Sequence, residues 1–153
     1  MAAGVLLAVA GRHGGTGDAA PGKAAAAAIA YAQAQLGRPY LWGGTGPDAF
    51  DCSGLVMKAY ASAGVSIART SQQQWATEPH VSAPAAGDLV FFPGADGTWS
   101  SPGHVGIVTD PATHTMINAY APGAPIGYAT YGPSATLQGL DQVIGFTDPA
   151  GGS

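Results

Sequence analysis

Charge is scarce in this chain of 153 residues: five Lys and Arg and nine Asp and Glu make up 9% of it, against about a quarter in an ordinary soluble domain. A formal net charge of −4 built from so few groups offers no basic patch to neutralise several phosphates, so nucleic acid is excluded as a natural partner. Thiols are scarcer still. Cys52 stands alone, so the chain makes no internal disulfide and no multi-thiolate zinc site, and neither of the histidines His13 and His80 has a metal-like spacing to another ligand. The apolar stretch Ala2 to Ala10 is far too short to span a bilayer, and no longer one follows. Internal repeats, heptads and blocks of like charge are also missing.

What the chain has in quantity is glycine and proline, 24 and 12, together close to a quarter of its residues. Hydrophobic residues nevertheless reach 46%, and Trp42, Trp75 and Trp99 stand among six Tyr and four Phe, which excludes disorder driven by charge repulsion. The expectation is one loop-rich folded domain, large enough to bury a core unaided.

Residues 1–22 read as a leader. Ala8-Val9-Ala10 resembles a cleavage site, but no basic residue precedes the apolar stretch, so a degraded signal, the end of an anchor and a plain flexible leader stay open. Gly11 to Gly22 is a glycine-rich linker. The domain is expected over 23–148, with 149–153 a frayed tail. A first helix is expected from Ala24 to Leu36, with Ala25, Ile29, Ala32 and Leu36 on one face and Gly37 as its cap. An aromatic, Gly- and Pro-rich loop follows. Asp51 then caps a second helix whose apolar face is Leu55, Val56, Ala59, Tyr60 and Ala63, ended by Gly64. A short helical turn is expected near Ser71 to Trp75, a connecting loop from Pro79 to Gly87, and strands at 89–92, 104–108, 115–119 and 143–146. Helices first and strands later give an α+β domain.

Cys52 falls in the first turn of the second helix, where unpaired backbone N–H groups and the helix dipole favour a thiolate. Free cysteine is also among the most buried residue types, so reactivity and packing are balanced on position alone. A cysteine nucleophile needs a base, and His104 opens a strand followed by the turn signal Asp110-Pro111. A hairpin centred on Pro111 pairs Val108 with His114, Gly106 with Met116 and His104 with Asn118. That register brings the Asn118 amide beside the imidazole as an orienting group, completing a Cys, His and Asn set. Asp88 and Asp110 are weaker candidates for the same task.

Five ordered motifs carry a resemblance over about 24–146: Gly37-Arg38-Pro39-Tyr40-Leu41-Trp42-Gly43-Gly44, Asp51-Cys52-Ser53-Gly54-Leu55-Val56, Arg69-Thr70-Ser71, Gly87-Asp88-Leu89-Val90-Phe91-Phe92 and Gly103-His104-Val105-Gly106-Ile107-Val108. The chain resembles the NlpC-type family of papain-like cell-wall cysteine endopeptidases. The resemblance implies a papain-like fold with helices packed on an antiparallel sheet and the nucleophile at a helix N-terminus. It implies Cys52 as nucleophile, His104 as base and the Tyr40 hydroxyl as an aid to the oxyanion hole. The third catalytic position, most often histidine in the family, is Asn118 here, a departure that bears on the strength of catalysis. Asp51, Trp42, Arg69 and Ser71 match positions near the cleft and are expected to contact substrate or support the site; for Asp51 and Arg69, capping and ion pairing are equally open.

The resemblance further implies hydrolysis of peptidoglycan stem peptides, typically between D-γ-glutamate and a diamino acid such as meso-diaminopimelate, with no metal or organic cofactor. A secreted or envelope-associated location follows from that substrate. A non-catalytic peptidoglycan-binding module, and an amidase or acyltransferase on the same scaffold, remain open alternatives. The segment from Pro93 to Gly103, with Trp99, is expected to border the cleft.

Overall fold

The computed structural model describes residues 21–151, so the expected leader lies outside the described residues except for Pro21 and Gly22. Three helices come first: α1 (Lys23–Ala34), α2 (Cys52–Ser62) and α3 (Ser71–Thr77). Six strands follow: β1 (His80–Val81), β2 (Leu89–Phe92), β3 (His104–Asp110), β4 (Thr115–Asn118), β5 (Gly127–Thr130) and β6 (Gly145–Thr147). They form one antiparallel sheet in the order β1-β6-β2-β3-β4-β5, which is the α+β architecture expected.

Apolar residues divide between two layers. Ala28 and Ala32 of α1 and Leu55, Val56, Ala59 and Tyr60 of α2 pack with Phe91, Val105, Ile107 and Ile117 of the sheet. Val90, Phe92, Val108 and Met116, alternating with those strand residues, pack with Tyr131 and Leu140 instead. Each fully buried Val, Leu, Ile, Phe or Met among them stabilises the fold by about 1.5–3 kcal/mol. The small side chains of α1 permit close approach: a Cβ at Gly87 would stand 2.4 Å from that of Ala25, and Gly87 has φ +96°. The Tyr60 hydroxyl donates to the Gly87 carbonyl across this contact.

Several expectations need correction. Helix α1 stops at Ala34, because Gln35 turns back onto the Ala32 carbonyl and Gly37 N–H leaves to pair with Ile126 O; Leu36 is therefore exposed rather than on the buried face. β1 lies inside the segment read as a loop, and β5 was not expected at all. The last strand starts at Gly145 rather than Val143. The turn after β6 continues the domain past 148: Ala150 packs against the core and its N–H binds the Asp148 carboxylate.

The β3–β4 register also differs. Val108 faces Met116 rather than His114, and Ile107 faces Ile117, with Thr109 bulged out between the pairs Val108–Met116 and Asp110–Thr115. The bulge and the loop 111–114 move the pairing by two residues. An even shift keeps every side chain on its expected face.

Candidate active site

The start of α2 is built by one carboxylate. Asp51 sits in extended backbone as the N-cap, its Oδ1 accepting the Gly54 N–H at 2.7 Å and its Oδ2 the Gly43 N–H at 3.0 Å. One residue thus caps the helix and ties it to the aromatic loop. Arg69 closes on the same group with Nη2 to Oδ2 at 2.8 Å and Nη1 to Oδ1 at 3.2 Å, and Nη1 also donates to Ser53 Oγ at 2.9 Å. Glycine is required at 54, since a Cβ there would lie 2.2 Å from the Gly44 carbonyl oxygen. These contacts hold Cys52 in the first helical turn.

The Cys52 thiol donates to the Gly103 carbonyl, with 3.9 Å between Sγ and O. Gly103 immediately precedes His104, so the nucleophile candidate lies against the entry to β3. Two bonds fix that entry: Gly103 N–H donates to Pro93 O at 2.8 Å, and the buried Ser71 hydroxyl donates to Pro102 O at 2.9 Å. His104 is buried, and its Nε2–H donates to Asn118 Oδ1 at 2.8 Å. Phe92 and Tyr120 flank the ring, with centroids 5.6 and 5.9 Å away. With Nε2 engaged, Nδ1 is the nitrogen left to exchange a proton.

Burial dominates the electrostatics. It pushes the Cys52 thiol up to about 11, with the Asp51 charge adding to the rise and backbone N–H bonds from Val105, Ser53 and Cys52 opposing it. Burial likewise pulls His104 down to about 4, against the raising effect of the Asn118 bond. Thiol and imidazole are therefore both neutral at pH 7. Burial, followed by Cys52, Asp51 and Asp96, also raises Tyr40, which places its phenol in the same electrostatic neighbourhood as the thiol.

This arrangement has a counterpart in sequence. The profile of the NlpC/P60 family matches residues 37–134, more than half the chain and the span that holds every group described above. The chain belongs to this family. It is 46% identical over 93 residues to "Probable endopeptidase p60" of Listeria monocytogenes, covering 60% of this chain and 18% of that protein. It is 46% identical over 76 residues to the "Bifunctional muramidase/DL-endopeptidase CwlT" of Bacillus subtilis, covering 46% of this chain and 22% of the relative. The chain thus spans about a fifth of the length of these curated relatives. A crystal structure described as similar to a lipoprotein of the NLP/P60 family, from Staphylococcus aureus, superposes with a TM-score of 0.71 at 30% identity, over 85% of this chain and 42% of that one. The papain-like fold expected from the motifs is the fold observed.

Within this NlpC/P60 domain the expected site residues occupy three kinds of place. Cys52, Tyr40 and the His104–Asn118 pair converge where the α2 N-terminus meets β3. Asp51 and Ser71 spend their polar atoms on the loops around that point. Trp42 is 75% exposed on the aromatic loop, and Arg69 is partly exposed beside it. The Pro93–Gly103 loop borders the site through Gly103, and the charge of Asp96 on the same loop acts on Tyr40. Two other histidines have local partners: His80 Nε2 bonds the Trp75 carbonyl at 2.7 Å, and His114 stacks on Tyr131. Among the described residues no cluster of three or more His, Cys, Asp or Glu could hold a metal ion.

Sequence reasoning missed the Gly103 carbonyl, the Pro102 anchor for Ser71 and the Phe92 and Tyr120 rings around His104. A carbonyl partner has no side-chain signature. Tyr120 was within reach, lying two residues beyond Asn118 and so on the same side of an extended chain.

Proposed function

We propose that this NlpC/P60 domain hydrolyses an amide bond of peptidoglycan stem peptides, between D-γ-glutamate and a diamino acid such as meso-diaminopimelate, through a thioester on Cys52. The observation that supports it best is the 2.8 Å His104–Asn118 bond at the strand entry whose preceding carbonyl holds the Cys52 thiol. The names of the relatives, endopeptidase p60 and a DL-endopeptidase, support the reaction class and the type of bond.

In this mechanism Cys52 Sγ attacks the amide carbonyl carbon while its proton passes to His104 Nδ1. Because both groups start neutral, His104 acts as a general base during attack rather than as half of a standing ion pair. Backbone N–H groups at the α2 N-terminus, aided by the Tyr40 hydroxyl, hold the oxyanion. His104 returns the proton to the leaving amine as the C–N bond breaks. Water, deprotonated by His104, then splits the thioester and restores the thiol. Asn118 keeps the ring aimed; Trp42 and Arg69 meet the substrate at the rim, and Asp51 and Ser71 act through the loops they hold. A substrate in the cell wall places the protein outside the cytoplasmic membrane, secreted or associated with the envelope.

Mass spectrometry of muropeptides incubated with wild type and with Cys52→Ala tests the reading. A fragment pair split after γ-glutamate, formed by wild type alone, is the expected result. Cleavage elsewhere assigns a different bond to the same cysteine chemistry. Cleavage by the variant overturns the mechanism, and binding without cleavage by folded wild type replaces it with a peptidoglycan-binding module.

A further inference from the structure

A pocket of about 480 Å³ lies apart from the Cys52 site and shares none of Cys52, His104, Asn118 and Tyr40. Its volume is in the range of small-molecule sites. Its walls include Trp99, His114, Tyr131, Phe146, Pro133 and Asp141. His114 and Tyr131 stack at 5.2 Å and 19°, and Phe146 meets Tyr131 edge-on at 5.7 Å. Trp99, 58% exposed, keeps its indole available to a ligand.

The polar groups are few and unengaged. Among the described residues, Asp141 has no hydrogen bond or ion pair, and the Tyr131 hydroxyl is buried without a hydrogen-bond partner. No Lys or Arg lines the pocket, which disfavours phosphates and other anions. A cage for an ammonium ion needs ring faces turned inward around it. Here His114 and Tyr131 each turn one face to the other and Phe146 meets Tyr131 edge-on, so the exposed Trp99 indole is the ring most open to a ligand. A flat apolar platform beside a free carboxylate suits a pyranose, which presents C–H groups on its face and hydroxyl and amide donors around its edge.

We propose that this pocket binds a carbohydrate, an N-acetylated amino sugar of the glycan to which the stem peptides are attached. The substrate identity rests on the peptidoglycan reading above. The geometry of the chain supplies a link: Trp99 lies on the Pro93–Gly103 loop, whose far end meets the Cys52 thiol. A sugar on the indole and a peptide at the thiol would be held by two parts of one loop.

The test titrates the full chain with a peptide-free tetramer of β-1,4-linked N-acetylglucosamine, following amide and indole N–H shifts by NMR. Saturable shifts at Trp99, His114, Tyr131 and Asp141 of the pocket wall are expected, with a Kd of about 0.1–5 mM. Trp99→Ala and Asp141→Asn should each weaken binding about tenfold or more; both positions are exposed, and the second variant leaves the loop sequence intact. Shifts that fail to saturate, that centre on Cys52 and Gly103, or that survive both substitutions overturn the proposal. Saturation by tetramethylammonium in place of the sugar reassigns the pocket to a cation. The probe contains no peptide bond, so sugar binding without muropeptide cleavage retains this site and removes the peptidase reading, and cleavage without sugar binding does the reverse.

Discussion

His104 and Asn118 bond diagonally across the β3–β4 ladder. With Ile107 facing Ile117 and Val108 facing Met116, Asn118 comes opposite Gly106, one same-face position away from His104. The missing side chain at 106 is what lets the amide lean across, for a Cβ there would come within 3.3 Å of the Asn118 Cβ and 2.4 Å of the Met116 sulfur. The resulting 2.8 Å bond fixes both the tautomer and the tilt of a buried imidazole.

Removing that bond should therefore affect turnover more than binding. Asn118→Ala is expected to lower kcat about a hundredfold with KM little changed, the cost of a misaimed base. Asn118→His, which restores an acceptor, should recover most of the loss. Steady-state kinetics on a defined muropeptide separates these outcomes, and equal kcat for all three proteins would remove the orienting role.

In the proposed mechanism the active form is the neutral pair, bounded by His104 at about 4 and Cys52 at about 11. Activity should consequently persist well below the ordinary histidine range, its acid limb lying near pH 4. A pH profile of kcat/KM checks this, and an acid limb at about 6.5 contradicts it.

Asp51 raises the thiol pKa by its charge while holding the helix start. Asp51→Asn keeps a capping acceptor, loses that charge and frees the Arg69 cation, so the thiol pKa should fall. The midpoint of alkylation rate against pH should move downward. Stability should drop by about 1 kcal/mol in urea titration, as suits a partly exposed ion pair.

Glu78 is buried at the end of α3, its Oε1 accepting from Thr147 at 2.7 Å and its Oε2 without a hydrogen-bond partner. Burial, with Asp148 adding, pushes it up to about 7, so between pH 4.5 and 7 the folded state holds a proton that the unfolded chain gives up. Stability from this group is present below 4.5 and falls as pH rises through 7. Glu78→Gln should raise Tm by a few degrees at pH 8 and leave it unchanged at pH 4. His104, with its lowered pKa, acts in the opposite sense from 6.5 down to 4, so the comparison is made between variant and wild type at each pH.

Much of this was legible in the residues themselves. The Asp51 cap, the periodic face of α2, the compact strand Leu89–Phe92 and the candidates Cys52, His104 and Asn118 all follow from local chemistry and alternation. The elements that escaped are those with weak local signals: β1 has two residues, and β5, Gly-Tyr-Ala-Thr, is half exposed without clear alternation. Both become strands because a neighbouring strand offers unpaired backbone groups, information that lies elsewhere in the chain.

The hairpin shows where the division falls. Sequence by itself determined which face His104 and Asn118 occupy, because alternation survives any even shift of register. Only the tertiary structure decided their diagonal pairing, through the Thr109 bulge and the gap at Gly106. The same holds for the shifted thiol and imidazole: their identities and order are written in the chain, but their protonation is set by burial, which exists only once the helix and sheet have closed around them.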